Sequence, residues 1–336
     1  MCIKGRLSIF VSAFLVLILI NIVSADQKTI LVIESYHAEY AWDASYKSGL
    51  EEVLGKTYKL EYFEMDTKRV PKDQHQQRAD LAWEKYQQLK PTLVILGDDA
   101  ALKFLGKKFA ETPTPVVYLG INNNPRNYFK DMYDLPKNIT GVLERPLLLR
   151  SIANLKEIIP NMKKIIVLFD NDTTAEVVKQ EVFKNKNSLL GIMGIDVELK
   201  MIGDYKTWQD TVLSLKGKYD ACVVGLYQTL KDADNKPVNA EDVINWTSKN
   251  LPIPGFAFWD FAVGANKTTG GFIIYGKDMG KQAADIVIQI LEKGESIEKM
   301  RPISSDKGQF LFSKAQLKKW NIKLPPQIEQ KTKYVE

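Results

Sequence analysis

The chain has 336 residues, enough for about two domains with complete cores, and 45% hydrophobic with 26% charged residues excludes a disordered polymer. Its formal charge of +5 falls to +3 without the leader described next, so there is no strong basic field and no nucleic-acid partner is expected. Of the two cysteines, Cys2 lies in that leader; Cys222 is left alone, no intrachain disulfide is expected, and its apolar surroundings mark it as a small core residue.

Lys4 and Arg6 precede "LSIFVSAFLVLILINIV", an apolar run without an acid. Val23 and Ala25 then occupy the minus-three and minus-one places of an A-x-A-like cleavage site. Residues 1–25 therefore read as a secretory signal peptide, giving a mature chain that starts at Asp26 in the periplasm or outside the cell. The run is nearly long enough to span a bilayer, so an uncleaved membrane anchor is the alternative. Cys2 precedes the apolar run and does not follow it, which excludes a lipoprotein anchor.

Short apolar runs then alternate with longer helical patterns. "TILVIES" leads to an amphipathic stretch from Trp42 to Leu54, and "KLEYFEM" to a second from Asp73 to Leu89. "PTLVILGDD" leads into "AALKFLGKKFA", and "TPVVYLGINN" closes the series. The plan restarts: "KKIIVLFDND" precedes a helix expected through Leu190, "IDVELKMI" precedes "WQDTVLSLKGK", and "DACVVGLYQ" and "IPGFAFWD" complete it. Strand then helix, repeated, means parallel sheets covered on both faces. The fold class expected is α/β, with two Rossmann-like lobes of one topology joined by a hinge. The tail "GGFIIYGKDMGKQAADIVIQILEKGE" adds a strand and a helix that return to the first lobe. The expected boundaries are 26–142 plus 268–300 for lobe 1 and 143–267 plus 301–336 for lobe 2.

Ligands of open parallel sheets bind beyond the carboxyl ends of the strands. Those ends deliver Ser35, Tyr36 and His37; Asp98 and Asp99; Asn122 and Asn123; Asp170, Asp172 and Thr173; Tyr227; and Trp259 with Asp260. Aromatic faces beside fixed donors and acceptors suit a small-molecule clamp better than a reaction centre. Each residue also has a plainer reading. Asp98, Asp172 and Thr173 are suited to capping helices, Asn122 and Asn123 to a turn before Pro125, and Tyr36 and Trp42 to packing at the hinge. No cofactor or metal site is expected, since only His37 and His75 are present and no Cys/His cluster exists. No G-x-S-x-G elbow or G-x-G-x-x-G loop appears either, and a secreted hydrolase or deaminase is the remote third reading.

The ordered motifs carry a resemblance. "NITGV" (Asn138–Val142), the tail "GKDMGKQAADIVIQILEKGE" and "FSKAQLKKWNIKLPPQI" resemble the ABC-transporter substrate-binding family of the type 1 periplasmic binding protein fold. "ESYHAEYAWD", "EMDTKR", "ILGDDAALKFL" and "YLGINNNP" resemble the branch shared with extracytoplasmic sensor domains of histidine kinases and diguanylate cyclases. Those receptors continue into a second membrane helix and an output domain, whereas this sequence stops at Glu336, so the resemblance implies a free binding protein. It further implies a non-enzymatic monomer that holds a small ligand, an amino acid or related polar molecule, and delivers it to an ABC permease in the membrane. A ligand-sensing periplasmic partner of a membrane receptor is the alternative. One departure stands out. Amino-acid-binding members place a Gly-Ser element at the third strand end, where this chain has Gly97-Asp98-Asp99, and two acids repel a ligand carboxylate.

Overall fold

The computed structural model describes residues 27–129, 135–144, 148–305 and 308–336. The expected signal peptide lies outside the described residues. Among the described residues no helix is long and apolar enough to cross a membrane.

The first half folds as β1 (Thr29–Glu34), α1 (Ala41–Leu54), β2 (Lys59–Glu64), α2 (His75–Leu89), β3 (Leu93–Gly97), α3 (Asp98–Ala110), β4 (Val116–Ile121) and β5 (Ile139–Glu144). The second half folds as α4 (Leu148–Ile158), β6 (Lys164–Phe169), α5 (Thr173–Glu181), β7 (Ser188–Ile192), β8 (Ile195–Met201), α6 (Tyr205–Leu213), β9 (Ala221–Val224), α7 (Ala240–Asn250) and β10 (Gly255–Ala257). The tail contributes β11 (Gly270–Ile273), α8 (Gly276–Leu291), β12 (Ile303–Ser305), β13 (Gln309–Ser313) and β14 (Thr332–Val335).

Central strands such as β3, Leu-Val-Ile-Leu-Gly, are buried on both faces, as continuous apolar runs in a parallel sheet must be. The first sheet has the order β12-β5-β4-β3-β1-β2 and the second β10-β9-β6-β8-β7. In both, the second strand of the series lies outside the first, and the third and fourth follow on its other side. The two halves therefore share one topology. A third sheet, β11-β13-β14, adds Ile273 and Leu311 to the core of the second lobe.

The helix of the tail returns to the first lobe, whereas its strand β11 joins the third sheet on the second lobe. α8 crosses α1 at a pair of reciprocal glycines. A Cβ on Gly49 would stand 2.1 Å from the Lys277 carbonyl oxygen, and one on Gly280 would stand 2.1 Å from that of Tyr46. Only hydrogen fits at either place, so the two backbones touch.

Two expectations are corrected. The helix predicted through Leu190 ends at Glu181, because Lys184 and Asn185 adopt φ of 51° and 63°, outside the helical region. Residues 188–192 instead form β7, antiparallel to β8, with Gly191, Met193 and Gly194 left-handed around the turn. The boundary predicted at residue 300 also moves. β12 pairs in parallel with β5, which carries Ile303–Ser305 onto the edge of the first sheet.

Candidate functional site

The carboxyl ends of both sheets meet across a narrow cleft lined by Tyr36, Tyr40, Trp42, Asp98, Asn122 and Glu144 from one side and Thr174, Leu226, Trp259 and Phe261 from the other. Two indole–carboxylate pairs form its polar frame. The Trp42 Nε1–H donates to Asp98 Oδ2 at 2.9 Å, and the Trp259 Nε1–H donates to Glu144 Oε1 at 2.7 Å. Asn122 Nδ2 donates to the other Glu144 oxygen at 3.2 Å. The aromatic wall is continuous: Tyr36 stands edge-on to Tyr40 at 4.9 Å, Tyr40 lies 6.2 Å from Phe261, and Phe261 is stacked on Trp259 at 6.2 Å.

The Glu144–Trp259 bond already links the lobes, and two further contacts do the same. Lys68 Nζ, on the loop after β2, pairs with Asp172 Oδ2 at 2.9 Å, with its side chain only 3% exposed. The Ser45 hydroxyl donates to Asp260 Oδ2 at 3.3 Å. With these contacts made, the free space in the cleft is about 10 Å³, room for about one water. Ligand pockets run to roughly 300–1,000 Å³, far more than this gap offers.

Local geometry explains why each side chain arrives there. Asp98 has φ of 68°, a left-handed backbone that lets the chain turn directly from β3 into α3. Gly120, at φ 74°, makes room for it, since a Cβ there would stand 3.2 Å from Asp98 Oδ2. Asp43 is buried in the first turn of α1 and accepts from the Tyr36 N–H at 3.2 Å, which closes the loop carrying Tyr36 and Tyr40.

Electrostatics sort the charged groups. Burial, with Asp43, Glu144 and Asp99 nearby, raises the Asp98 pKa well above the usual carboxylate range. Burial also raises Asp170. For Asp172 burial is outweighed by Lys68, so its pKa lies below the ordinary value. For Lys68 burial is likewise outweighed, by Asp172 and Asp170, and its pKa lies above the ordinary one. Burial pushes the phenols of Tyr36 and Tyr40 well up, so both remain neutral donors.

Of the residues predicted from sequence, Tyr36, Asp98, Asn122 and Trp259 line the cleft. The others stand around it. The Ser35 hydroxyl is spent on the backbone, donating to the Gly97 carbonyl at 2.5 Å and accepting from the Ala101 N–H at 2.8 Å. His37 lies outside the ring of lining residues, its Nδ1 4.0 Å from Glu39, and burial followed by the Arg69 charge lowers its pKa. Asp99 is a bracket for the loop after β4, accepting from the Asn122 and Asn123 N–H groups and from the Tyr128 hydroxyl at 2.9, 3.2 and 2.9 Å. Asn123 in turn donates to the Tyr128 hydroxyl at 3.1 Å. Asp170 accepts from the Asp172 and Thr229 N–H groups, and Asp172 holds Lys68. Thr173 is exposed while Thr174 lines the cleft. Tyr227 packs in the core of the second lobe against Phe261 at 6.3 Å. Asp260 is partly buried, bonded to Ser45 and to the Phe261 N–H, and burial pushes its pKa up to about 6.

Sequence reasoning did not select Tyr40, Trp42, Glu144, Thr174, Leu226, Phe261 or Lys68 as site residues. Tyr40, Trp42 and Lys68 lie inside the quoted stretches "ESYHAEYAWD" and "EMDTKR", and Glu144 closes "NITGVLE", the first lobe crossing. A larger concavity of about 1010 Å³ adjoins the cleft at Asn122, lined by Arg126, Lys137, Glu181, Glu298, Lys299 and Arg301 among others. These side chains are mostly exposed and the described residues lining it form no aromatic wall, so the convergent chemistry belongs to the smaller cleft.

Comparison with known proteins agrees with this geometry. A family model described as ABC transporter substrate binding protein matches residues 47–335. No curated protein matches the sequence significantly. Among solved structures, an ABC domain in complex with L-Trp from Streptococcus pneumoniae superposes with a TM-score of 0.68 at 18% identity, covering 92% of this chain and 100% of its own. A conserved domain protein from Vibrio cholerae gives 0.66 at 16% identity, with the same 92% and 100% coverage. A ligand-free, open substrate-binding protein with adhesive properties from Clostridium difficile gives 0.61 at 18%, covering 92% and 99%. At these identities the likeness establishes the fold, that of the type 1 periplasmic binding proteins.

Proposed function

The chain belongs to the ABC transporter substrate binding protein family, and from that membership we propose that it captures a small polar solute between two hinged lobes and delivers it to an ABC permease. The observation that carries this reading is the cleft itself: aromatic rings and carboxylates from both sheets, shut by Lys68–Asp172, Glu144–Trp259 and Ser45–Asp260 across the gap. Tyr36, Asp98, Asn122 and Trp259 meet the solute directly. Asp170 and Asp172 hold Lys68 in place, and Ser35, Asp99 and Asn123 hold the loops that present the others. Lobe 1 comprises the first sheet with α8 and β12; lobe 2 comprises the second and third sheets. The molecule acts outside the cytoplasm as a monomer, after removal of residues 1–25.

A solute stabilises the closed form only by binding it better than the open one. Small-angle scattering therefore measures the mechanism: saturation with solute reduces the radius of gyration. An unchanged radius at proven saturation removes the closing clamp. The alternative, a ligand-sensing partner of a membrane receptor, shares the capture step and rests on the likeness of "ESYHAEYAWD" and "EMDTKR" to receptor ectodomains. Solute-dependent stimulation of the permease ATPase in proteoliposomes favours delivery over sensing.

A further inference from the structure

The chemistry of the cleft narrows the solute, given the capture reading above. Its walls are ring faces and edges: Tyr36, Tyr40, Trp42, Trp259 and Phe261. Aromatic faces carry negative potential and attract cations. One cation already rests on this wall. The Lys68 ammonium lies 4.4 Å from the Tyr36 ring centre and 5.0 Å from that of Tyr40. Beside the rings stand two buried carboxylates, Asp98 and Glu144. Asp98 is 3% exposed and accepts from the Trp42 indole. Lys68 is committed to Asp172, and among the described residues lining the cleft there is neither lysine nor arginine to receive a carboxylate.

We propose that the captured solute is a small organic cation, an amine, guanidine or quaternary ammonium without a carboxylate, whose charged group sits against Trp42, Trp259 and Phe261 with Asp98 as its counter-ion, on the side of the cleft away from the rings that Lys68 covers. The same surroundings disfavour a zwitterion. An amino-acid carboxylate confined here stands against Asp98, where like charges oppose ionisation of one another. A positive group instead restores the ionised form of Asp98 and meets ring faces on several sides.

The test is titration calorimetry of the full mature chain with three panels: putrescine, agmatine and choline; the zwitterionic amino acids including L-tryptophan; and neutral sugars with dicarboxylates. Asp98→Asn is titrated in parallel. Asparagine tolerates the left-handed backbone of Asp98 and keeps an acceptor for Trp42, so it removes the charge alone. The expected result is tightest binding by a cation, weakened about 10–100-fold by Asp98→Asn, with a melting temperature no lower than that of the wild type. Tightest binding by a zwitterion, sugar or dicarboxylate, or a cation affinity that Asp98→Asn leaves unchanged, overturns the cation assignment while capture stands, provided the radius of gyration still falls. No binding by any panel member overturns the assignment and the capture reading together.

Discussion

Glu34 ends β1 directly beneath the cleft, and replacing it with glutamine isolates the cost of a buried charge. Its side chain is fully buried, and neither carboxylate oxygen has a hydrogen-bond partner. Burial raises its pKa from the ordinary 4.5 to about 7; the Lys47 charge opposes the rise, and Glu64 and Glu51 add to it. Below pH 4.5 the folded and unfolded chains both hold the proton, and Glu34 is neutral to stability. Between 4.5 and 7 the folded chain holds a proton that the unfolded chain releases, so stability falls as pH rises, and above 7 the penalty is complete. At about 1.36 kcal/mol per pKa unit the full penalty is roughly 2–3 kcal/mol after allowance for local relaxation. Glu34→Gln removes the titration and keeps the shape. Urea unfolding followed by circular dichroism at pH 5 and pH 8 reads the difference. The variant gains about 2–3 kcal/mol over the wild type at pH 8 and less than about 1 kcal/mol at pH 5, with an unchanged m-value. An equal shift at both pH values, or a loss at pH 8, refutes the reasoning, because it means ionised Glu34 has a partner that stabilises it.

Three further outcomes are expected. Asp99→Ala removes the bracket on Asn122, Asn123 and Tyr128 and lowers stability by about 2–4 kcal/mol in urea unfolding, and because Asn122 loses its anchor, calorimetry of the folded fraction finds solute affinity reduced about three- to tenfold. Gly120→Ala strains a left-handed position by about 1–2 kcal/mol and displaces the Asp98 carboxylate, so affinity falls about tenfold; an unchanged affinity removes Asp98 from the site. Gly280→Ala drives a methyl into the Tyr46 carbonyl and costs about 3 kcal/mol or more of stability, and a melting temperature equal to wild type contradicts the backbone contact between α1 and α8.

The paired lobes were legible because parallel strands buried on both faces write themselves as unbroken apolar runs, and because both halves place those runs in one order. β7 was not legible. Its "SLLGI" continues an apolar pattern that suits a helix, and only the left-handed residues around it break that reading. β12 is three residues long with exposed Ile303, so nothing local marks its return to the first sheet. Strand ends gave the right neighbourhood for the cleft, but single residues shifted. Thr174 and not Thr173 faces in, because adjacent helical positions point about 100° apart. Asp98 and not Asp99 lines the cleft, because the left-handed turn sits between the strand and the helix. Glu144 and Lys68 owe their places to partners in the other lobe, Trp259 and Asp172, at sequence separations that no local pattern encodes.

The glycine contact between α1 and α8 ties one of the earliest helices of the chain to one of the latest. During synthesis α1 emerges first and can pack on the early strands, but the strip around Gly49 finds its partner only when α8 has followed it. Gly49, buried in the finished molecule against the Lys277 carbonyl, stays open on that side through the whole passage of the second lobe. Completion of the first lobe is thereby timed by the tail. α8 is thus the keystone of the first lobe, and a chain cut short before Gly276 lacks the backbone surface against which Gly49 closes.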